Sequence, residues 1–292
     1  MEKVTENVYT ITTIKGCNPS YVVTSEGIVA IDTPQMPTQA VEMREEILKK
    51  GHLRYLINTE HHSDHIFGNH YFAGLCPVIA HQDTAKEFWA VTYGVDPFMR
   101  AREAIEKNDP KGLALMPTKE RFIVNPPTIT FKDRLTLRLG NHVFELFNTP
   151  GHTRGETAVY VPQERVLFTG DTIFHKCQLF LQSAEPESWL RSLDFLKTID
   201  ADIIVPGHGP ICDKKYIPVQ SAFLREWLAA VASGIAKGWS KEECIAKISF
   251  LDRLPMDVGL DDSGPMVMQW NVTRLYDYLE GKIEKFPIPS LD

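Results

Sequence analysis

No apolar stretch in this 292-residue chain approaches the roughly 18–20 residues that a bilayer-spanning helix needs. The opening Met1-Glu2-Lys3-Val4-Thr5-Glu6 is charged and leads into no apolar core, so no secretory leader is expected. Basic runs interleaved with aromatics are missing as well. With a formal net charge of −7, this argues against nucleic acid and anionic membranes as partners. Cysteine is scarce: Cys17, Cys76, Cys177, Cys212 and Cys244 are odd in number, scattered, and never form a Cys-x-x-Cys pair. That pattern fits reduced thiols rather than a disulfide framework or a cysteine zinc site. Cys177 is worth watching only because it lies close to a potential metal-binding aspartate. Neither a Gly-x-Ser-x-Gly nucleophile elbow nor a Gly-rich dinucleotide fingerprint occurs. The expectation is a cytoplasmic protein that acts on a small molecule.

Hydrophobic residues make up 43% of the chain, enough to fill the core of one large domain or a domain with an appendage. The β-branched runs Val8–Thr12, Tyr21–Thr24 and Ile28–Ile31 read as strands. A helix over Thr38–Lys50 and a buried strand over Leu53–Asn58 follow. Asp83 to about Asn108 reads as one helix, opening an insertion over about 83–125. A second strand block comprises Thr128–Phe131, Leu135–Leu139, Val143–Asn148, Thr157–Val161 and Val166–Thr169. A helix over Pro186–Thr198 and a short strand at Ile203–Val205 follow it. Two strand-rich halves flanked by helices predict an α/β chain with two sheets packed face to face. After about residue 215 the pattern turns helical, over Val219–Lys237, Lys241–Phe250 and Met266–Glu280. Residues 1–215 are thus expected to form the catalytic domain, and 216–292 a helical extension packed on it. That extension would serve as packing, as a pocket wall, or as the surface of a homo-oligomer.

Metal-ligating residue types gather at four strand ends: Glu60-His61-His62-Ser63-Asp64-His65, Pro150-Gly151-His152, Gly170-Asp171, and Pro206-Gly207-His208. Strands bring these segments to one sheet edge, and the glycines and prolines that accompany most of them let side chains project. A metal site needs such a platform, because ligand positions must hold within tenths of an ångström. Isolated histidines are ordinary core or surface residues, but four such tips in register are not expected by chance.

These blocks, with Asp32 in Ile31-Asp32-Thr33 and Gly68-Asn69 behind the first block, resemble the metallo-β-lactamase superfamily over roughly Val4 to Pro210. The resemblance implies a four-layer αβ/βα sandwich of two mixed sheets with outer helices and a dinuclear metal site at one edge. Carried over position by position, it implies that Glu60, His62 and His152 hold one divalent ion. Asp64, His65 and His208 would hold the other, with Asp171 bridging. Asp32 would orient ligands, and His61 falls at a variable position where a supporting or exposed role is expected. The family's first motif is His-x-His-x-Asp-His, so Glu60 departs from it.

Glu60 is expected to ligate, because every other ligand position is intact; loss of one ion is the competing reading. A carboxylate there lowers Lewis acidity and hardens the site, which moves preference from zinc, still the first choice, towards manganese or iron. The expected chemistry is attack by a hydroxide bridging the two ions on an electrophilic carbon of a lactone, thioester, β-lactam, amide or activated ether. Asp64 would orient the nucleophile and carry a proton. An iron-dependent oxidoreductase or dioxygenase and a non-catalytic relic binding protein are the alternatives. His175 either reaches the pocket to bind an oxyanion or pairs with loop backbone. Trp89, Tyr93, Phe98 and Met99 read as core packing before an apolar lid, and Arg100 and Arg102 as surface charge before carboxylate binders.

Overall fold

Alternation along the strands decides which face each residue takes. In the computed structural model, which describes residues 1–90 and 96–291, Val22, Val29 and Ile31 point into an apolar layer shared with Phe144, Leu146, Val159 and Val161. Their neighbours Tyr21, Ile28 and Ala30 point the other way. Two sheets arise, each covered on its outer face.

The first sheet contains β1 (Glu2–Lys3), β2 (Val8–Thr10), β3 (Ser20–Thr24), β4 (Gly27–Ile31), β5 (Leu53–Ile57), β6 (Val78–His81) and β7 (Ile129–Phe131), paired in chain order. Pairing is antiparallel as far as β4 and parallel from β4 to β7. The second sheet contains β8 (Arg134–Leu139), β9 (His142–Asn148), β10 (Thr157–Val161), β11 (Val166–Phe168) and β12 (Ile203–Val205); only β11 and β12 pair in parallel. Helix α1 (Pro37–Lys50) covers the first sheet through Met43 and Ile47.

Three short helices lie on the loops of the first half: α2 (Ser63–Ile66), α3 (Gln82–Glu87) and α4 (Pro97–Asn108). On the second sheet lie α5 (Pro186–Leu196), α6 (Ile217–Ala236), α7 (Lys241–Lys247) and α8 (Gly264–Leu279). Trp189, Trp227, Cys244 and Val272 from these four helices join Ala158 and Leu167 of the sheet in one apolar cluster. This is the four-layer αβ/βα sandwich, with the C-terminal helices on its second outer face.

Three details differ from the sequence reading. Ile129–Phe131 pairs with β6 in the first sheet rather than opening the second. Strand β6 is not among the expected strands, because a short strand buried on both faces has no alternation to show. The helix expected over Asp83–Asn108 is broken, with α3 ending at Glu87 and Trp89 in the left-handed region at φ 63°. Helix α4 then starts afresh, with the Asp96 side chain accepting from the Phe98 and Met99 amides and Pro97 in the first turn. Among the described residues no helix is long and apolar enough to cross a membrane, and all five cysteines are unpaired.

Phe144 is fully buried between the sheets. Phe144→Ala should destabilise the chain by about 3–5 kcal/mol, whereas Ile288→Ala, at a side chain 74% exposed, should stay within about 0.5 kcal/mol. Equal urea midpoints for the two variants would contradict this placement of the core.

Candidate metal centre

Five strand ends meet at one edge. Strand β4 delivers Asp32, β5 the Glu60–His65 turn, β9 the loop carrying His152, β11 Asp171 and β12 His208. Glycine is needed twice at this meeting point. A Cβ on Gly207 would collide with an Asp171 carboxylate oxygen and the Gly170 backbone. Gly170 itself has φ +48° and lies against Thr59 and Glu156.

Three histidines present their Nε2 atoms inward because Nδ1 is engaged elsewhere. His65 Nδ1 donates to Asp32 at 2.9 Å, His152 Nδ1 to the Phe180 carbonyl at 2.8 Å, and His208 Nδ1 to Asp257 at 2.7 Å. Fixing one ring nitrogen sets the tautomer and leaves the other as a lone-pair donor. Asp32 is also gripped by the Thr59 amide at 2.8 Å and the Thr59 hydroxyl at 2.6 Å. Its backbone stands at φ 54°, a left-handed conformation unusual for a non-glycine residue and common at functional sites.

Among the described residues Asp64, His65 and His208 form a first group of potential ligand atoms and Glu60, His152 and Asp171 a second, each within 4.8 Å. Glu60, His61 and His62, and likewise Cys17, Asp32 and His65, form groups of the same kind that overlap them. Asp171 Oδ1 lies 3.2 Å from His65 Nε2 and 3.4 Å from His208 Nε2, while its Oδ2 lies 3.4 Å from His152 Nε2. His62 Nδ1 is 2.9 Å from Glu60 Oε2 and 3.1 Å from His152 Nε2, which places it with the second group. Glu60 Oε1, His65 Nε2 and Asp171 Oδ1 are all buried and have no hydrogen-bond partner. Orphaned polar atoms of this kind cost on the order of 1–3 kcal/mol each. Three orphans facing one another, two of them on carboxylates, fit divalent cations well.

The electrostatics agree. Burial works to raise the Glu60 carboxyl, but His62 and His65 override it and hold it at about 2. Burial likewise opposes ionisation of Asp171, and His208 and His65 hold it well below the usual carboxylate range. The same field draws in positive charge from any source. His65 and His208 are pushed well above the ordinary imidazole value against burial, chiefly by Asp171.

Around this centre the other expected residues take distinct places. His61 lines the cleft, its ring 4.7 Å from that of His62; burial, then His62, lower its pKa to about 3. Asn69 does not face the centre. It bonds Asn58 and Thr33, both of which donate to the His65 carbonyl, so it braces the turn from behind. His175 does not line the cleft: its Nδ1 donates to the Pro210 carbonyl at 2.7 Å, the loop-backbone pairing of the two readings rather than the oxyanion role. Its backbone amide still donates to the His208 carbonyl. Cys177 is buried in the apolar cluster of the second sheet, and the thiol beside the centre is Cys17, next to Asp32 and His65. Burial pushes the Cys17 thiol up to about 12.

Two acids carry no signal in the sequence. Glu156 is fully buried and accepts from the Asp171 amide at 2.9 Å; burial, then Glu60 and Asp171, push its pKa well up. Asp257 comes from the loop between α7 and α8. Neither follows a motif that would flag it, although Glu156 lies only four residues beyond His152.

The centre forms the floor of a cleft of about 250 Å³. Trp89, Phe180, Leu260 and Trp270 give it apolar walls, and Lys15 and Arg100 stand on its rim. Arg100 is therefore not simple surface charge, unlike Arg102, which pairs with Glu106 in the open. Phe98 is core and Met99 is exposed; Tyr93 lies outside the described residues.

The model of the metallo-beta-lactamase superfamily matches residues 13–208. The chain is similar to a linear primary-alkylsulfatase of Pseudomonas sp. (strain ATCC 19151), 25% identical over 254 residues, covering 76% of this chain and 48% of that protein. It is also similar to the metallo-beta-lactamase type 2 of Elizabethkingia meningoseptica, 26% identical over 232 residues, covering 74% and 81%. A solved metallo-beta-lactamase family protein from Thermus thermophilus shares the fold, with a TM-score of 0.65 over 96% of this chain and 95% of that one at 20% identity. The chain spans half or less of the length of several curated relatives it matches.

Elemental analysis tests the Glu60 placement. The native chain should carry about two divalent ions, Glu60→Gln about one, and Glu60→His about two again, since imidazole restores a donor at that position. A single ion in the native chain, unaffected by either substitution, would refute a ligating Glu60.

Proposed function

The chain belongs to the metallo-beta-lactamase superfamily, and from that premise we propose that it is a dinuclear metal-dependent hydrolase acting on an electrophilic carbon of a small molecule. Lactones, thioesters, β-lactams, amides and activated ethers are the substrate types with such a carbon. The observation that carries this reading is the set of unpartnered, inward-facing donor atoms at the floor of an apolar-walled cleft. Glu60, His62 and His152 would hold one divalent ion, Asp64, His65 and His208 the other, and Asp171 both. Zinc is the first choice, with manganese or iron next. Such ions supply Lewis acidity and an ionised water near neutral pH.

The chain's own groups do the rest. Asp64 and Asp171 both line the cleft, and Asp64 is the more exposed carboxylate, its side chain 26% exposed and Oδ2 3.3 Å from His208 Nε2. Burial opposes its ionisation, but His65 and His208 keep it below the usual range. It therefore stays ionised at working pH, a hydrogen-bond acceptor able to orient a nucleophile, and on the proposed reading it passes the nucleophile's proton to the leaving group. The apolar walls exclude bulk water and hold the body of the substrate over the centre. Lys15 at the rim, its pKa lowered by burial, faces Asp64 and Asp257 and offsets part of the acidity.

A second reading, iron-dependent oxygen chemistry, is favoured by one observation only: the buried carboxylate of Glu60 in a row where imidazole is usual. One set of assays separates the two. Exhaustive chelation should abolish hydrolysis across a panel of these substrate types, and zinc or manganese should restore it. Asp64→Asn should lower kcat by about 10²–10⁴-fold. Hydrolysis that survives chelation would overturn the proposal, and iron-dependent oxygen uptake with no hydrolysis would install the second reading.

A further inference from the structure

His208 is the metal-facing residue whose ring is steered from outside the segment matched by the family model. Its Nδ1 donates to Asp257 Oδ2 at 2.7 Å, and both side chains are buried. Asp257 sits in the connection between α7 and α8, in the C-terminal region, about fifty residues beyond the last ligand block. That connection is tied to the catalytic layers at several points. The Gln178 amide donates to the Phe250 and Leu254 carbonyls at 2.6 Å each, and the Gln178 backbone N–H to the Pro255 carbonyl at 3.0 Å. Lys15, from the first sheet's β2–β3 loop, donates to the Gly259 carbonyl at 2.8 Å. Leu260, three residues past Asp257, lines the cleft.

We propose that Asp257 is a positioning residue for the metal centre: the C-terminal strap carries the carboxylate that fixes the His208 tautomer and aims its Nε2 at the ion shared with Asp64 and His65. This rests on the reading of His208 as a ligand. The ring plane has its own support, since Phe174 stacks on His208 at 5.1 Å with planes 6° apart. Stacking cannot decide which nitrogen carries the proton, and the carboxylate can. In the opposite group His152 donates to the Phe180 carbonyl and not to a carboxylate of the strap, although Asn271 of α8 braces the chain on either side of Phe180. Asp32 does the equivalent work for His65 from the first sheet. The two ions should therefore respond differently to the strap.

The test uses the full-length protein stripped of metal, titrated with zinc or cobalt alone against a chromophoric chelator. In the native chain two binding steps are expected. Asp257→Ala should weaken one step by about 10–100-fold and leave the other unchanged, with an altered cobalt visible spectrum for the affected site. Asp257→Asn, which preserves shape and an accepting oxygen but no charge, should fall between native and alanine. That graded, one-site loss is not what general loosening of the fold produces. Native affinity at both steps in both variants, or equal weakening of both steps, would overturn the assignment. A native chain that binds no ion would overturn the ligand reading of His208 and this inference with it. One that binds a single ion would overturn the dinuclear premise alone, and Asp257→Ala would then either weaken that ion, as proposed, or leave it at native affinity and overturn the inference.

Discussion

Glu60, Asp171 and Glu156 are buried together at the end of the β-sandwich, with Asp64 beside them at the cleft floor. Carboxylates crowded in a low-dielectric interior repel one another and lose their hydration. What opposes that cost at Glu60 and Asp171 is histidine. Glu156 answers the same pressure differently: its pKa is driven up, which favours the neutral form, and one of its oxygens accepts from the Asp171 amide. The arrangement is thus stable only around concentrated positive charge, and the rest of the molecule can be read as the means of keeping these groups together against their repulsion.

Rigidity comes from both sheets at once. The apolar layer between them fixes the strand ends in relation to each other. The outer helices then press on the loops that carry ligands. A Cβ on Gly151, next to His152, would run into Trp189 of α5, and the Trp189 indole donates to the Thr172 carbonyl at 2.9 Å, beside Asp171. Burial of that single indole holds two ligand loops. The C-terminal helices extend the same cluster outward, so their packing is continuous with the support of the centre and not an independent layer.

How much of this was legible in the chain depends on the range of the signal. Strands such as β3 and β4 announce themselves by β-branched runs set between turn residues, although both of their faces are largely buried. The ligand blocks announce themselves by dense residue types behind turn residues. β6 is only four residues long, with Val78 and Ile79 its only β-branched pair, too short a run to stand out. The break after Glu87 was hidden by a run with helical composition, although Asp96-Pro97 is a helix-start signal in its own right. Asp257 was invisible for a deeper reason: its meaning is a contact with a residue 49 positions away, and nothing local distinguishes it from a solvated loop acid. His175 was open between two readings, the cleft and the loop backbone, and only the fold decides, by sending its ring to the Pro210 carbonyl.

Glu60 brings these threads together. Loss of function at this position would be expected to leave a small or solvated side chain, yet Glu60 is fully buried, with one oxygen accepting from the His61 amide at 2.9 Å and the other unpartnered among His65 and Asp171. Keeping an ionised carboxylate in that setting is costly unless a cation repays it. On the proposed reading Glu60, Asp64 and Asp171 bring three negative charges to two divalent ions, one more than a histidine in the first position would allow. The extra charge tightens the hold on hard ions and softens their pull on a bound water and on a substrate oxygen. A centre of that kind is better suited to substrates whose carbon is already electrophilic or whose leaving group is good than to an unactivated amide. That moves lactones, thioesters and activated ethers ahead of amides among the substrate types the cleft would take.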